Sequence, residues 1–221
     1  MADSDDSAPV DGSISPAERR RNRVRGDILE AADEVFGREG EAGLSIRRLA
    51  EAIDYSPAAI YKYFGSKDDL LNELKNAFFE RLLERMDELQ ALDRPFQERM
   101  RACVSGYVRT ALENPRHYAG AFDGVTSVFE GASRHHASPA SKFRAFDRLQ
   151  AMISEGVSEG LLRSDQPPDI LAKSAWAAMH GLAMLFAHLP HFPKFADDDN
   201  APNQNEFIDI YADTIVNGLE K

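Results

Sequence analysis

Residues 43–71 read Gly43-Leu44-Ser45-Ile46-Arg47-Arg48-Leu49-Ala50-Glu51-Ala52-Ile53-Asp54-Tyr55-Ser56-Pro57-Ala58-Ala59-Ile60-Tyr61-Lys62-Tyr63-Phe64-Gly65-Ser66-Lys67-Asp68-Asp69-Leu70-Leu71. Three helix starts crowd into this stretch. Ser45 can cap a short helix running to about Ile53, with Ile46, Leu49, Ala50 and Ile53 on one face. Asp54-Tyr55 is a tight break, and Asp tolerates the left-handed conformation such a turn asks for. Ser56 before Pro57 is a cap followed by a first-turn proline, which opens a second short helix to about Phe64. Gly65 stops it, and Ser66 with Asp69 three residues on starts a longer one. Two short capped helices about four residues apart, packed on a longer helix before them, form a helix-turn-helix. In such a unit the second helix enters the major groove and its first residues reach base edges.

The longer helix upstream is predicted from Ser15-Pro16-Ala17-Glu18, a cap, a first-turn proline and a capping-box glutamate. Val24, Ile28, Leu29, Ala32, Val35 and Phe36 recur at helical spacing, and Gly37 and Gly40 are expected to end it. Downstream, apolar periodicity with Pro or Gly at most boundaries predicts helices over 67–92, 96–113, 117–129, 139–160, 167–189 and 205–220. No useful period-2 alternation and no Asn-Gly hairpin occurs. The expected fold is all-α, with about nine helices. Residues 1–14 are acidic, Ser- and Gly-rich, and read as a disordered tail. Segments 131–138 and 190–203 are the two long polar loops.

Composition narrows the function. The chain has 221 residues, 43% of them hydrophobic, so it can build a sizeable core. Its single cysteine excludes an internal disulfide and a cysteine-based zinc site. The N-terminus has no apolar run that would make a signal peptide, and residues 174–190, which hold His180 and His188, fall short of a membrane span of roughly 20 apolar residues. A cytoplasmic protein with no membrane partner is expected. The net charge is −11, which by itself argues against nucleic acid. The charge is unevenly distributed, however: residues 19–67 carry ten Lys and Arg against eight Asp and Glu. Five arginines fall within Arg19–Arg25. Taken alone such a cluster reads as solvated helix-start charge, while the asymmetry between segments points to two jobs in one chain.

Residues 43–52 together with Ile60-Tyr61-Lys62-Tyr63-Phe64-Gly65-Ser66-Lys67-Asp68-Asp69-Leu70-Leu71 resemble the N-terminal domain of tetracycline-repressor (TetR) family regulators. The likeness covers about residues 23–74. Two departures stand out, since the family's turn glycine and the apolar residue after it are Asp54 and Tyr55 here. The resemblance implies an N-terminal three-helix helix-turn-helix domain over 15–66. A long helix would join it to a helical effector-binding and dimerisation domain over 67–221. It places Ser45 and Arg47 at the DNA backbone, Tyr61, Tyr63 and Lys67 on phosphates, and Ala58, Ala59 and Lys62 in the groove, with Ser56 at the start of that helix also a DNA contact, and it makes Arg19–Arg25 either a flexible clamp on the backbone or minor groove or inert solvated charge. Tyr61 and Phe64 also read as core residues. The implied partners are double-stranded DNA, a second copy of the chain and a small-molecule effector.

Trp176-Ala177-Ala178-Met179-His180-Gly181-Leu182 resembles the Trp…His-Gly signature of one C-terminal subtype of that family, the WHG type. Residues 172–189 hold Lys173 as their sole charge and are apolar almost all round, so they must be buried on nearly every side. With Phe207, Ile210, Tyr211 and Ile215 on the last helix, they form the expected homodimer surface. Candidate effector contacts are Tyr107, Tyr118, Phe122, Phe129, Met152, Trp176, His180 and Met184, an aromatic and sulfur-bearing set that reads equally as packed core. His180 is either a satisfied buried histidine or the polar group of a pocket. Gly106, Gly120, Gly124 and Gly156 beside these bulky residues are expected to leave an apolar cavity, of the roughly 300 Å3 or more usual for ligand sites. No Lys or Arg is placed among these candidates, so a neutral or weakly charged hydrophobic or aromatic effector is expected. Cys103 reads as a small buried hydrophobe.

Catalysis is not expected, because no phosphate loop, nucleophile elbow or His-Glu-x-x-His motif is present. His135-His136 lacks nearby carboxylates. Pro190 breaks the helix between His188 and His191, near Asp197-Asp198-Asp199. No metal and no cofactor is therefore expected. The remaining alternative is a helical partner-binding module that kept this fold and lost DNA binding.

Overall fold

The computed structural model describes residues 15–90, 93–122, 140–189, 191–193 and 202–221. The expected tail at 1–14, Phe129, Gly124, His135-His136 and the loop at 131–138 lie outside the described residues. Nine helices occur among the described residues: α1 (Pro16–Gly43), α2 (Ile46–Ala52), α3 (Pro57–Ile60), α4 (Lys67–Gln90), α5 (Phe96–Glu113), α6 (Pro115–Phe122), α7 (Ala140–Ser158), α8 (Pro168–His188) and α9 (Gln204–Leu219). No strand is found among them, apart from one isolated bridge between Leu162 and Glu220.

The caps form where the sequence puts them. Ser15 Oγ accepts from the Glu18 amide while the Glu18 carboxylate accepts from the Ser15 amide. Ser45, Ser56 and Ser66 each accept from the amide three residues on. Each such cap satisfies one orphan donor and is worth about 1 kcal/mol. Asn203 and Glu206 close a second capping box at the head of α9. Asp54 takes the left-handed conformation at φ 56°, as the turn requires.

Two boundaries differ from expectation. Of the two expected stops, Gly37 stays helical, whereas Gly40 leaves helical geometry at φ 71°, which only glycine adopts freely, and a further short turn carries α1 on to Gly43. α3 is one turn long rather than two. After Ile60 the chain tightens, with Lys62 and Tyr63 amides donating to Ala59 and Ile60 carbonyls three residues back.

The side chains form two cores. The first joins Ile28, Ala32 and Phe36 of α1 to Leu49, Ile60, Phe64 and the first half of α4 at Leu70, Leu71 and Leu74. The second runs from Phe78 of α4 through α5, α6, α7, α8 and α9. α4 is therefore a wall of both. α1 reaches the second body through α6. There Asp33 accepts from Arg81 Nη2 at 2.6 Å and pairs with His117 Nε2 at 2.7 Å, beside the Phe36 ring. Burial pushes the Asp33 carboxyl up, but the hydrogen bonds and charges of His117 and Arg81 outweigh it and hold it below the ordinary carboxylate value.

The glycines do not leave space as expected. A Cβ on Gly156 would collide with the Phe96 ring and stand 2.8 Å from Leu162, and one on Gly120 would stand 2.9 Å from Phe36. These glycines allow close helix contact. Overpacking at such a site costs about 1–3 kcal/mol, against about 1 kcal/mol gained in helix propensity. Gly156→Ala should thus lower stability by a net of up to about 2 kcal/mol in a denaturant melt, and a raised midpoint would contradict the packing.

Candidate DNA interface and effector cavity

The residues expected to meet DNA lie on one end of the first core. Ser45 and Ser56 spend their hydroxyls on capping α2 and α3; Ser56 and Pro57 are exposed, while Ser45 is half-buried and Ile46 buried. Ala58 and Lys62 are exposed, and Tyr61 is 49% exposed, so its ring is not a core residue. Phe64 is buried. Ala59 and Tyr63 are half-buried, and Tyr63 packs against the core from its edge. Lys67 is half-buried at the first residue of α4. Arg47 is exposed but holds Glu51 one turn on at 2.9 Å, an ion pair a phosphate would have to displace. The arginine cluster is not a flexible arm. Arg19–Arg25 lies within α1, and Arg25 is bound to Glu73 and stacked over the Phe64 ring at 4.9 Å.

A second site lies between the middle helices. A cavity of about 130 Å3 is bounded by Phe79, Leu82 and Met86 of α4 and by Cys103 and Tyr107 of α5. Its far walls are Lys142, Ala145, Phe146 and Leu149 on one face of α7, the exposed Phe143 beside them, and Trp176 and Met179 of α8. It is smaller than expected, and close to the roughly 150 Å3 in which an apolar protein cavity binds benzene. Of the expected contacts, Tyr107 and Trp176 line it. Tyr118, Phe122 and His180 stand just behind them, with Phe122 4.4 Å from His180 and 6.4 Å from Trp176 between ring centres. Met152 is buried in the core away from the lining. Met184 is 37% exposed on the outer side of α8 and is no pocket residue. Residue type and helical position alone could not tell the inner from the outer side of a helix apolar all round.

The polar groups behind the wall satisfy one another. The hydroxyls of Tyr118 and Tyr107 stand 2.8 and 3.2 Å from His180 Nδ1. Burial, then the charge of Lys142, lowers the His180 pKa, so the imidazole is neutral and Nδ1 accepts. Burial raises both tyrosine hydroxyls above their ordinary value. Lys142 corrects the expectation that no cation lies at the pocket. The signal was in the sequence: residues 142, 145, 146 and 149 share a helix face that is apolar except for its first member.

A third surface is an uncovered apolar face. Ile170, Ala177, Gly181, Leu185 and Leu189 lie exposed along α8, and Ile210, Thr214 and Gly218 along α9. α8 is therefore not buried on nearly every side within one chain. It is long and apolar enough to cross a membrane by length and composition, and its other face packs on α5 and α7. No group of three or more residues able to hold a metal ion occurs among the described residues.

A model of bacterial regulatory proteins of the tetR family matches residues 28–74, and a model of a tetracyclin repressor-like C-terminal domain matches residues 100–203. Together they span more than half of the chain. The transcriptional repressor AcnR of Corynebacterium glutamicum is 25% identical over 166 residues, covering 72% of this chain and 79% of that protein. A protein of unknown function from Rhodococcus sp. RHA1 superposes with a TM-score of 0.73 at 24% identity, over 97% of this chain and 100% of the other. The TetR family regulator PfmR from Thermus thermophilus superposes with a TM-score of 0.61 at 24% identity, over 88% and 99%. At these identities the two structures report the fold alone.

Burial pushes the Cys103 thiol up to about 12. At pH 8 the native protein should therefore react with a thiol reagent more than about a hundredfold more slowly than the unfolded chain, and a native rate equal to the unfolded one would show that the thiol is not enclosed.

Proposed function

The chain belongs to the tetracycline-repressor (TetR) family of bacterial regulatory proteins, and on that premise we propose how it works as a DNA-binding transcriptional regulator. The observation that carries the reading is the end of the first core. Two serine-capped short helices, exposed Ala58, Tyr61 and Lys62, and half-buried Lys67 at the first residue of α4 support it. Small side chains at the start of α3 let the backbone approach the groove, and Ala58 and Ala59 offer methyl contact to thymine. Lys62 is the base-reading side chain. Tyr61, Tyr63 and Lys67, with the α2 start at Ser45 and Arg47, hold phosphates.

The protein acts as a homodimer through the exposed faces of α8 and α9, with two α3 helices entering successive major grooves of a palindromic site. Repression is the direction its relative AcnR suggests. The cavity takes a small, largely apolar aromatic effector. α6 carries the response, because Tyr118 touches His180 behind the cavity while the next residue, His117, holds Asp33 of α1. An effector that favours one placement of α6 over another changes the spacing of the two α3 helices by its differential affinity for the two states.

In a fluorescence titration against operator and random duplex, Lys67→Ala should weaken binding to both about equally, by roughly 1 kcal/mol. Lys62→Ala should instead change the preference between them. With about eight phosphates neutralised per dimer, log K should fall against log salt with a slope near −7. A wild-type protein that binds no duplex with a salt-dependent slope would leave a partner-binding module as the reading.

For the dimer, Ile210→Glu puts a charge on a side chain that is 54% exposed in one chain. Sedimentation should show a dimer for the wild type at micromolar concentration and a monomer for the variant. A wild-type monomer would remove the proposed interface.

A further inference from the structure

Resting on the reading of the cavity as the effector site, we infer that its effector is a one-ring aromatic carboxylate, held through its acid group by Lys142. The walls are apolar and enclose about 130 Å3, which suits a single ring. Lys142 is the sole charged residue among those that line it. Its helix shows that the lack of a counter-charge is particular to this position. Arg144 reaches Glu80 and Arg148 holds Asp87 at 2.8 Å, so the neighbouring cations of α7 pair with α4. Lys142 pairs with no carboxylate among the described residues. Its Nζ instead stands 5.5 Å from the centre of the Phe122 ring.

The neutral donors nearby are already engaged. Tyr118 donates to His180 Nδ1 at 2.8 Å and the Tyr107 hydroxyl lies against the same pair, which leaves the ammonium of Lys142 as the strong donor among the lining residues. Burial lowers the Lys142 pKa, the mark of a charge that gains from an incoming anion. A carboxylate would receive a charge-assisted hydrogen bond where a neutral isostere of the same shape would not.

Trp176 is the chain's single tryptophan and lines the cavity, so its emission reports occupancy directly. Phenylacetate and its neutral isostere phenylacetamide are titrated into the full-length wild type, Lys142→Met and Lys142→Gln. Phenylacetate should bind the wild type at least about tenfold more tightly than phenylacetamide. Both variants should lose that preference while keeping phenylacetamide affinity within about threefold. Equal affinities in the wild type, or a preference that survives in a folded variant, would overturn the anion assignment and leave the cavity standing. If neither compound changes Trp176 emission in the wild type at millimolar concentration, the cavity itself fails as a one-ring effector site, and the assignment with it.

Discussion

One helix belongs to two hydrophobic cores, and the rest of the molecule is arranged by that fact. Leu70, Leu71 and Leu74 of α4 pack with α1 to α3, while Phe78, Leu82 and Met86 pack with the helices that follow. An α-helix of 24 residues extends roughly 36 Å and bends little without a proline or a bulge. Movement at one end is therefore felt at the other. The contact of α1 with α6 adds a second link across the same junction. It has a polar centre, Asp33 between His117 and Arg81, set against the apolar packing of Phe36. Such a pair is directional in a way apolar contact is not, so it prefers one placement of α6 over neighbouring ones.

α6 is short, and both of its central residues are committed. His117 faces α1 and Tyr118 faces α8, one residue apart and therefore about 100° apart around the helix. That geometry lets eight residues join a cavity in the second core to a helix of the first. Gly120 permits it, since the Phe36 ring lies against its backbone. The same logic governs Gly156, where Phe96 and Leu162 press against α7. Glycine serves in both places to bring helices together, and the cavity comes instead from the spacing of α4, α5, α7 and α8.

At the end proposed to meet DNA the acidity of the chain is only partly offset, because some carboxylates of the first body are occupied while Asp54, Asp68 and Asp69 stay exposed. Glu39 is held by Arg48, Glu51 by Arg47 and Glu73 by Arg25, so several acidic groups of the first body are partnered. Lys62 and the α3 start remain exposed among them. Exposed ion pairs of this kind add little stability, about 0–1 kcal/mol each. Their effect here is on the local field that a phosphate meets.

Much was legible in the sequence because it is local. Caps at Ser15, Ser45, Ser56 and Ser66 depend on a side chain and an amide three residues away, and all four form. The all-α fold and the two-helix unit follow from such signals with apolar periodicity, as does the left-handed turn at Asp54. Tertiary structure decided what periodicity cannot encode. Where a helix is apolar all round, as in α8, only its neighbours determine that Trp176 faces the cavity and Met184 faces outward. Only packing shows that Arg25 is tied down, that glycines close gaps, and that Lys142 stands at the cavity with no counter-charge among the described residues. The reason is physical: a side chain's local preferences extend over about one helical turn, whereas its surroundings are set by residues tens of positions away.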